Sequence, residues 1–282
     1  MSDGFINLNK AAAMTSHDAV NFVRKIFGTR KVGHGGTLDP MATGILPVAI
    51  NQATKFIEYL ADCNKTYRAE ILFGIETDSG DVTGKILRQE NFVMPNIDEL
   101  KLATKNFLGE IEQSPPKFSA IKINGRKAYD LARRNIDFDM PRRLVTINKF
   151  EILRVDENFL TVEIDCSKGT YIRSLAADFG ESLNLPATLK SLNRVRVGKF
   201  FIENAVTLEE LKIDAEKFLT PIENCIDFEK FNLPNHRVKA YLNGLPTNVN
   251  AVDKIVKVYA DEKFLGVGKI KSGELRSEKI LS

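Results

Sequence analysis

Two stretches of this 282-residue chain alternate strictly, and that alternation limits the folds open to it. Tyr67, Ala69, Ile71 and Phe73 share one face of the first, and Leu160, Val162, Ile164 and Cys166 share one face of the second. A period of two marks a half-buried strand, so the chain must build a sheet and cover one side of it. Segments of helical period supply the cover. Ser16 is placed to cap a helix to about residue 27, with Val20, Val23 and Phe27 on one face and Gly28 as the stop. Asn96 with Glu99 and Thr207 with Glu210 read as capping boxes, the first opening a helix to about Leu108. Ser167-Lys168-Gly169-Thr170 breaks the second strand, and Ile172, Leu175, Ala176 and Phe179 continue as an amphipathic helix. Residues 80–84 predict a turn into a return strand at 85–89, a hairpin. Strands and helices mix without regular βαβ alternation, so the expected class is α+β with a central, mostly antiparallel sheet flanked by helices. From about Phe231 the pattern changes to short lysine-rich strands joined by glycine turns. The expected division is therefore a domain of residues 1–230 and a small basic β-domain of residues 231–282.

With 43% apolar residues the chain can bury a sizeable core. No apolar run nears the roughly 20 residues that span a bilayer. Met1-Ser2-Asp3-Gly4 opens no basic stretch ahead of an apolar one, so the expected location is the cytoplasm, with no membrane partner. Cys63, Cys166 and Cys225 lie far apart without ligand spacing and read as reduced thiols. The formal charge is only +3, but Arg133-Arg134, Arg142-Arg143, Lys190, Arg194, Arg196 and Lys199 are clustered. Clusters of this kind form a footprint for phosphates, although a solvated face is the default reading of a charge run.

The stretch KVGHGGTLDPMATGILPVAI (31–50) crowds glycines and prolines around His34 and Asp39. No Gly-Lys-Ser/Thr follows the glycines, so it is not a phosphate-binding P-loop, and G-x-G-x-x-G is absent. It has one histidine of the HxGH of nucleotidyltransferases and lacks the other. No G-x-S-x-G elbow is present, and the three scattered histidines exclude a metal site of ordinary spacing. Read alone, Asp39-Pro40 is an Asx-type turn. The functional alternative is a loop whose glycines admit close approach of a ligand while Pro40 and Pro47 hold a reactive carboxylate.

GHGGTLDPMATGILPVAI, followed by ATKF at 53–56, closely resembles the active-site motif of the bacterial tRNA pseudouridine-55 synthase (pseudouridine synthase B) family. The resemblance continues in order through KTYRAEILFGIETDSGDVTG (65–84), PPKFSAIKINGRKAYDLAR (115–133), CSKGTYIRSLAADFG (166–180) and LKSLNRVRVGKF (189–200). The C-terminal stretch is similar to a PUA RNA-binding domain. The family opens with a DKPxGxTS-like stretch. Here Asn9 to Ser16 keep the lysine and the Thr-Ser, but Ala11 and Ala13 replace the Pro and the Gly.

The resemblance implies a pseudouridine-synthase catalytic domain with a PUA-like domain after it. The implied reaction is conversion of uridine 55 in the tRNA T loop to pseudouridine, by flipping the base into a pocket. Asp39, Tyr67 and Arg173 are the implied catalytic residues: Asp39 starts glycosidic-bond cleavage, Tyr67 stacks on the uracil, and Arg173 pairs with the aspartate. His34 is implied to fill the hole beside the extruded nucleotide, and Leu192 to pack opposite Tyr67. Lys10, Gly35, Gly36, Tyr171 and Arg194 complete the implied substrate contacts, with Lys10, Arg194, Arg196 and Lys199 on phosphates. An isomerisation needs no cofactor and no metal. The implied partner is the tRNA T stem-loop, with no protein partner and a monomeric chain. A non-catalytic tRNA-binding or RNA-folding protein is the competing reading.

Overall fold

The computed structural model describes residues 3–134 and 136–281. Met1 and Ser2, which open the stretch read for export, lie outside them. Among the described residues no helix is long and apolar enough to cross a membrane. Nor, among the described residues, is any group of three or more His, Cys, Asp or Glu placed to hold a metal ion.

Ten strands form one large sheet among the described residues. Lys65–Phe73 lies at its centre, antiparallel to Phe159–Cys166 on one side and to Ala187–Val197 on the other. Tyr67, Ala69, Ile71 and Phe73 are buried on its inner face together with Leu160, Val162, Ile164 and Cys166, as the period of two predicts. The sheet is mixed through one parallel pairing, Asn193 with Thr43 and Arg194 with Gly44, which sets Ala187–Val197 beside Thr43–Ile50. Gly4–Lys10 continues the sheet beyond Thr43–Ile50, and Arg143–Val155 with Gly109–Gln113 extends the other side.

The helices Ser16–Phe27, Ile97–Lys105 and Ile172–Ser182 cover the inner face. Phe179 lies 5.1 Å from Phe150, 5.9 Å from Phe107 and 6.2 Å from Phe73, ring centre to ring centre, knitting the last helix to the sheet. Both capping boxes expected from sequence form, Asn96 with Glu99 and Thr207 with Glu210. Gly28 ends the first helix in the left-handed region at φ +61°. One reading is corrected. The first helix is capped by Thr15, boxed with Asp18, because the Ser16 hydroxyl is spent on Leu38. The return strand Ile86–Gln89 pairs antiparallel with Ile75–Thr77 across the turn, which is the expected hairpin.

The C-terminal lysine-rich region forms a separate five-stranded sheet. Its first strand, Glu229–Asn232, begins two residues before the expected boundary at 231. It is not detached. Phe264 and Val267 share an apolar cluster with Phe5, Ile45, Phe56 and Phe200 of the larger sheet.

Candidate active site

The glycine-rich stretch is a loop between two paired strands, Val32–His34 and Thr43–Ile50. The loop has little regular structure, yet its carbonyls are taken by buried side chains. Arg194 is 1% exposed. Its Nε donates to Ile45 O at 2.8 Å, Nη2 to Gly36 O at 3.0 Å and Nη1 to Thr37 O at 3.3 Å. One guanidinium thus grips the loop on both sides of Asp39. Lys10, fully buried, donates from Nζ to Ala11 O and Met14 O at 2.8 Å each and to Pro40 O at 3.5 Å. Ser16 Oγ donates to Leu38 O and accepts from Leu38 N–H. Gly44 explains why the strand pair closes so tightly: at φ +99°, a Cβ there would stand 2.3 Å from Arg194 O.

Asp39, 36% exposed at its side chain, faces Arg173, with Nε 2.9 Å from Oδ2. The Nε–H has no hydrogen-bond partner, so the contact is an ion pair rather than an aligned hydrogen bond. Arg173 is 5% exposed, and its other donors reach Ser79 O at 2.8 Å and Phe118 O at 3.0 Å. Asp81, also buried, stands 3.7 Å from Nη1. Its own carboxylate is held by Ser79 Oγ at 2.9 Å and by the Thr83 N–H at 2.9 Å. Sequence reasoning missed the site roles of Asp81 and Ser16. Asp81 lay in the acidic turn of the motif at 65–84, which was the available signal.

Tyr67 is buried and pairs across strands with Arg194. Burial pushes its hydroxyl pKa up, so at neutral pH it acts as a phenol and not as a phenolate. Leu192 joins the same apolar cluster. His34 accepts a 3.4 Å hydrogen bond from the Gly36 N–H at Nδ1. Burial, then the nearby Arg194 and His17, lower its pKa, which keeps the imidazole neutral at pH 7. Gly35 donates to Pro47 O, and Gly36, at φ +142°, lies against Arg194. Tyr171 is the N-cap residue of the helix that carries Arg173, its backbone held at both ends by the Gln113 amide.

The structure departs from the expected phosphate contacts at two positions. Lys10 and Arg194 are buried and committed to backbone carbonyls, so they brace the loop instead of facing solvent. Arg196, paired with Asp165 at 3.0 Å, and Lys199, paired with Asp227 at 2.8 Å, stay part-exposed at the surface. Ala13, at the expected glycine, adopts φ +59°. For a residue with a Cβ this costs about 1–2 kcal/mol, and the turn is kept because Lys10 ties the carbonyls on either side of it.

The fold is that of the pseudouridine synthases. A chain of the Cbf5–Nop10–Gar1 complex superposes over 98% of this chain and 84% of its own length, with TM-score 0.76 and 25% identity. A chain of an H/ACA ribonucleoprotein bound to a 2′-deoxyuridine substrate RNA gives TM-score 0.74 at 24% identity, which speaks for the fold alone. The model of the TruB family pseudouridylate synthase N-terminal domain matches residues 24–172. The tRNA pseudouridine synthase B of Caldanaerobacter subterraneus subsp. tengcongensis is 38% identical over 99% of both chains. That of Clostridium perfringens is 39% identical over 99% of both, and that of Clostridioides difficile 40% identical over 94% of this chain and 93% of its own. This chain belongs to the TruB family of pseudouridylate synthases.

Proposed function

We propose that this chain isomerises uridine to pseudouridine at position 55 in the T loop of tRNA, with Asp39 as the initiating group. The observation that carries the reading is the Asp39–Arg173 ion pair at 2.9 Å, on a loop gripped on both sides by Arg194. A part-exposed carboxylate paired with a buried permanent cation is held in one place and stays reachable. The C1′–N1 bond breaks, the uracil turns, C5 bonds to C1′, C5 gives up its proton and N1 gains one. Asp39 serves as nucleophile at C1′ or as base at C2′, and both routes start from the carboxylate. Tyr67 and Leu192, members of one apolar cluster, supply a stacking surface for the flipped base that offsets its unstacking. The neutral His34, half-buried among glycines, fills the gap left in the RNA.

Residues 1–230 act as the catalytic domain and residues 231–282 as a PUA-like RNA-binding domain. The chain works as a cytoplasmic monomer without a protein partner or cofactor. Tritium release from C5-labelled uridine in a T-stem-loop RNA tests the assignment. Wild type releases tritium; Asp39→Asn loses on the order of 10³-fold or more while still binding the RNA. Equal release from both would remove Asp39 from the chemistry, and binding without release by wild type would favour a pure tRNA binder.

A further inference from the structure

Arg143 begins the Arg143–Val155 strand, opposite Gln113 in the register. Gln113 is fully buried and grips the Tyr171 backbone, donating from Nε2 at 3.0 Å and accepting at Oε1 at 2.8 Å. The Tyr171 ring centre lies 4.7 Å from the guanidinium carbon of Arg143. Gly169, at φ +84°, also abuts this guanidinium; a Cβ there would come within 3.5 Å of Nη1. Ring and bare backbone therefore hold the group in place.

Its hydrogen bonding is unfinished. Nε and Nη2 are buried and have no partner. These two N–H groups lie along one edge of the guanidinium and point in parallel, the fork that receives two oxygens of one oxyanion. Among the described residues, no other arginine has both donors of this edge buried and empty. Leaving donors unmade in a dry setting is costly, so the vacancy needs a reason. The helix Ile172–Ser182 starts at Tyr171 without a side-chain cap bond, which adds its positive end to the same corner. Tyr171 is two residues from Arg173, the partner of Asp39.

Resting on the reading that this chain acts on RNA, we propose that Arg143 is a substrate-binding residue whose Nε/Nη2 fork takes a backbone phosphate flanking the target nucleotide. A nucleotide lodged against Asp39 carries a phosphate on either side, and the oxyanion matches the vacant edge in charge and geometry. Both donors are covered in the free protein, so the contact requires a local shift when RNA binds.

RNA binding across a salt series, with single-turnover tritium release at saturating RNA, tests the proposal. Arg143→Gln is expected to bind the T-stem-loop about tenfold more weakly, with the log–log salt slope reduced by about 1. Its release rate at saturating RNA should stay near that of wild type, because the lost contact is a binding one. Arg143→Lys keeps the charge without the fork and should fall between the two in affinity with the slope preserved; it carries the test if Arg143→Gln fails to fold. Wild-type affinity and slope in Arg143→Gln would overturn the proposal. So would slower release at saturation with affinity and slope intact, since Arg143 would then act only by supporting Tyr171. If inorganic phosphate raises the melting temperature of wild type but not of Arg143→Gln, while the RNA slope is unchanged, the fork serves free phosphate and the RNA contact is wrong. A wild type that binds RNA but releases no tritium would defeat the functional reading, and the binding comparison would still judge Arg143.

Discussion

Two connecting segments flank the Asp39–Arg173 pair and are held to different degrees. The loop at residues 35–42 has its backbone groups bonded by buried side chains from three other elements, Lys10, Ser16 and Arg194. The segment at 114–134 and 136–142 is mostly exposed. Its ties include Ser174 to Ser114 O, Arg173 to Phe118 O, and two ion pairs at the surface, Arg142–Glu112 and Lys117–Asp137. The difference teaches that irregular backbone is fixed by what happens to its carbonyls. Where a buried donor claims them the conformation is set, and where water can claim them it is not.

The sharpest way to break this comparison is Arg194→Met. It leaves the Gly36, Thr37 and Ile45 carbonyls without their donor. Denaturant unfolding should show a loss of about 3–5 kcal/mol. A loss below about 1 kcal/mol would mean that the loop is held by something else.

The second effect is a dependence on pH. Burial lowers the Lys10 pKa from 10.5 to about 8 in the folded protein. Between those values the unfolded chain keeps the proton that the folded chain has lost, so this group makes stability rise with pH. Lys65 is lowered to about 8 as well, so the two contributions must be separated. Subtracting the Lys10→Met stability curve from that of wild type does so, and the difference should grow in favour of wild type from pH 8 to 10. A flat difference would show that the buried ammonium carries no burial cost.

The smallest effect belongs to the exposed segment. Lys117→Ala removes an ion pair whose members are 54% and 96% exposed, and it should leave the unfolding midpoint where it was. A clear drop would erase the distinction between the two regions.

Much of the architecture was legible because it rests on local rules. The alternation at 67–73 and 160–166, the two capping boxes and the Gly28 stop each depend on residues close in sequence. The placing of Asp39 beside Arg173 was legible only through the family resemblance, since 134 positions separate the two residues in the chain. Lys10 and Arg194 were misread for a physical reason. Lysine and arginine are almost never fully buried unless partnered, and their partners here are carbonyls from distant parts of the chain. No side-chain pattern reports a carbonyl. Ser16 was misread in the same way: as a residue type it fits a cap, while its real partner is Leu38.

The Arg194 grip has one more consequence. By bonding Gly36 and Thr37 at one end and Ile45 at the other, it acts as a non-covalent clasp that closes the stretch around Asp39 into a ring. The entropy of ordering that ring is lost when the chain folds, not when RNA arrives. An incoming strand meets a rim already in shape, and its capture can proceed at the pace of encounter.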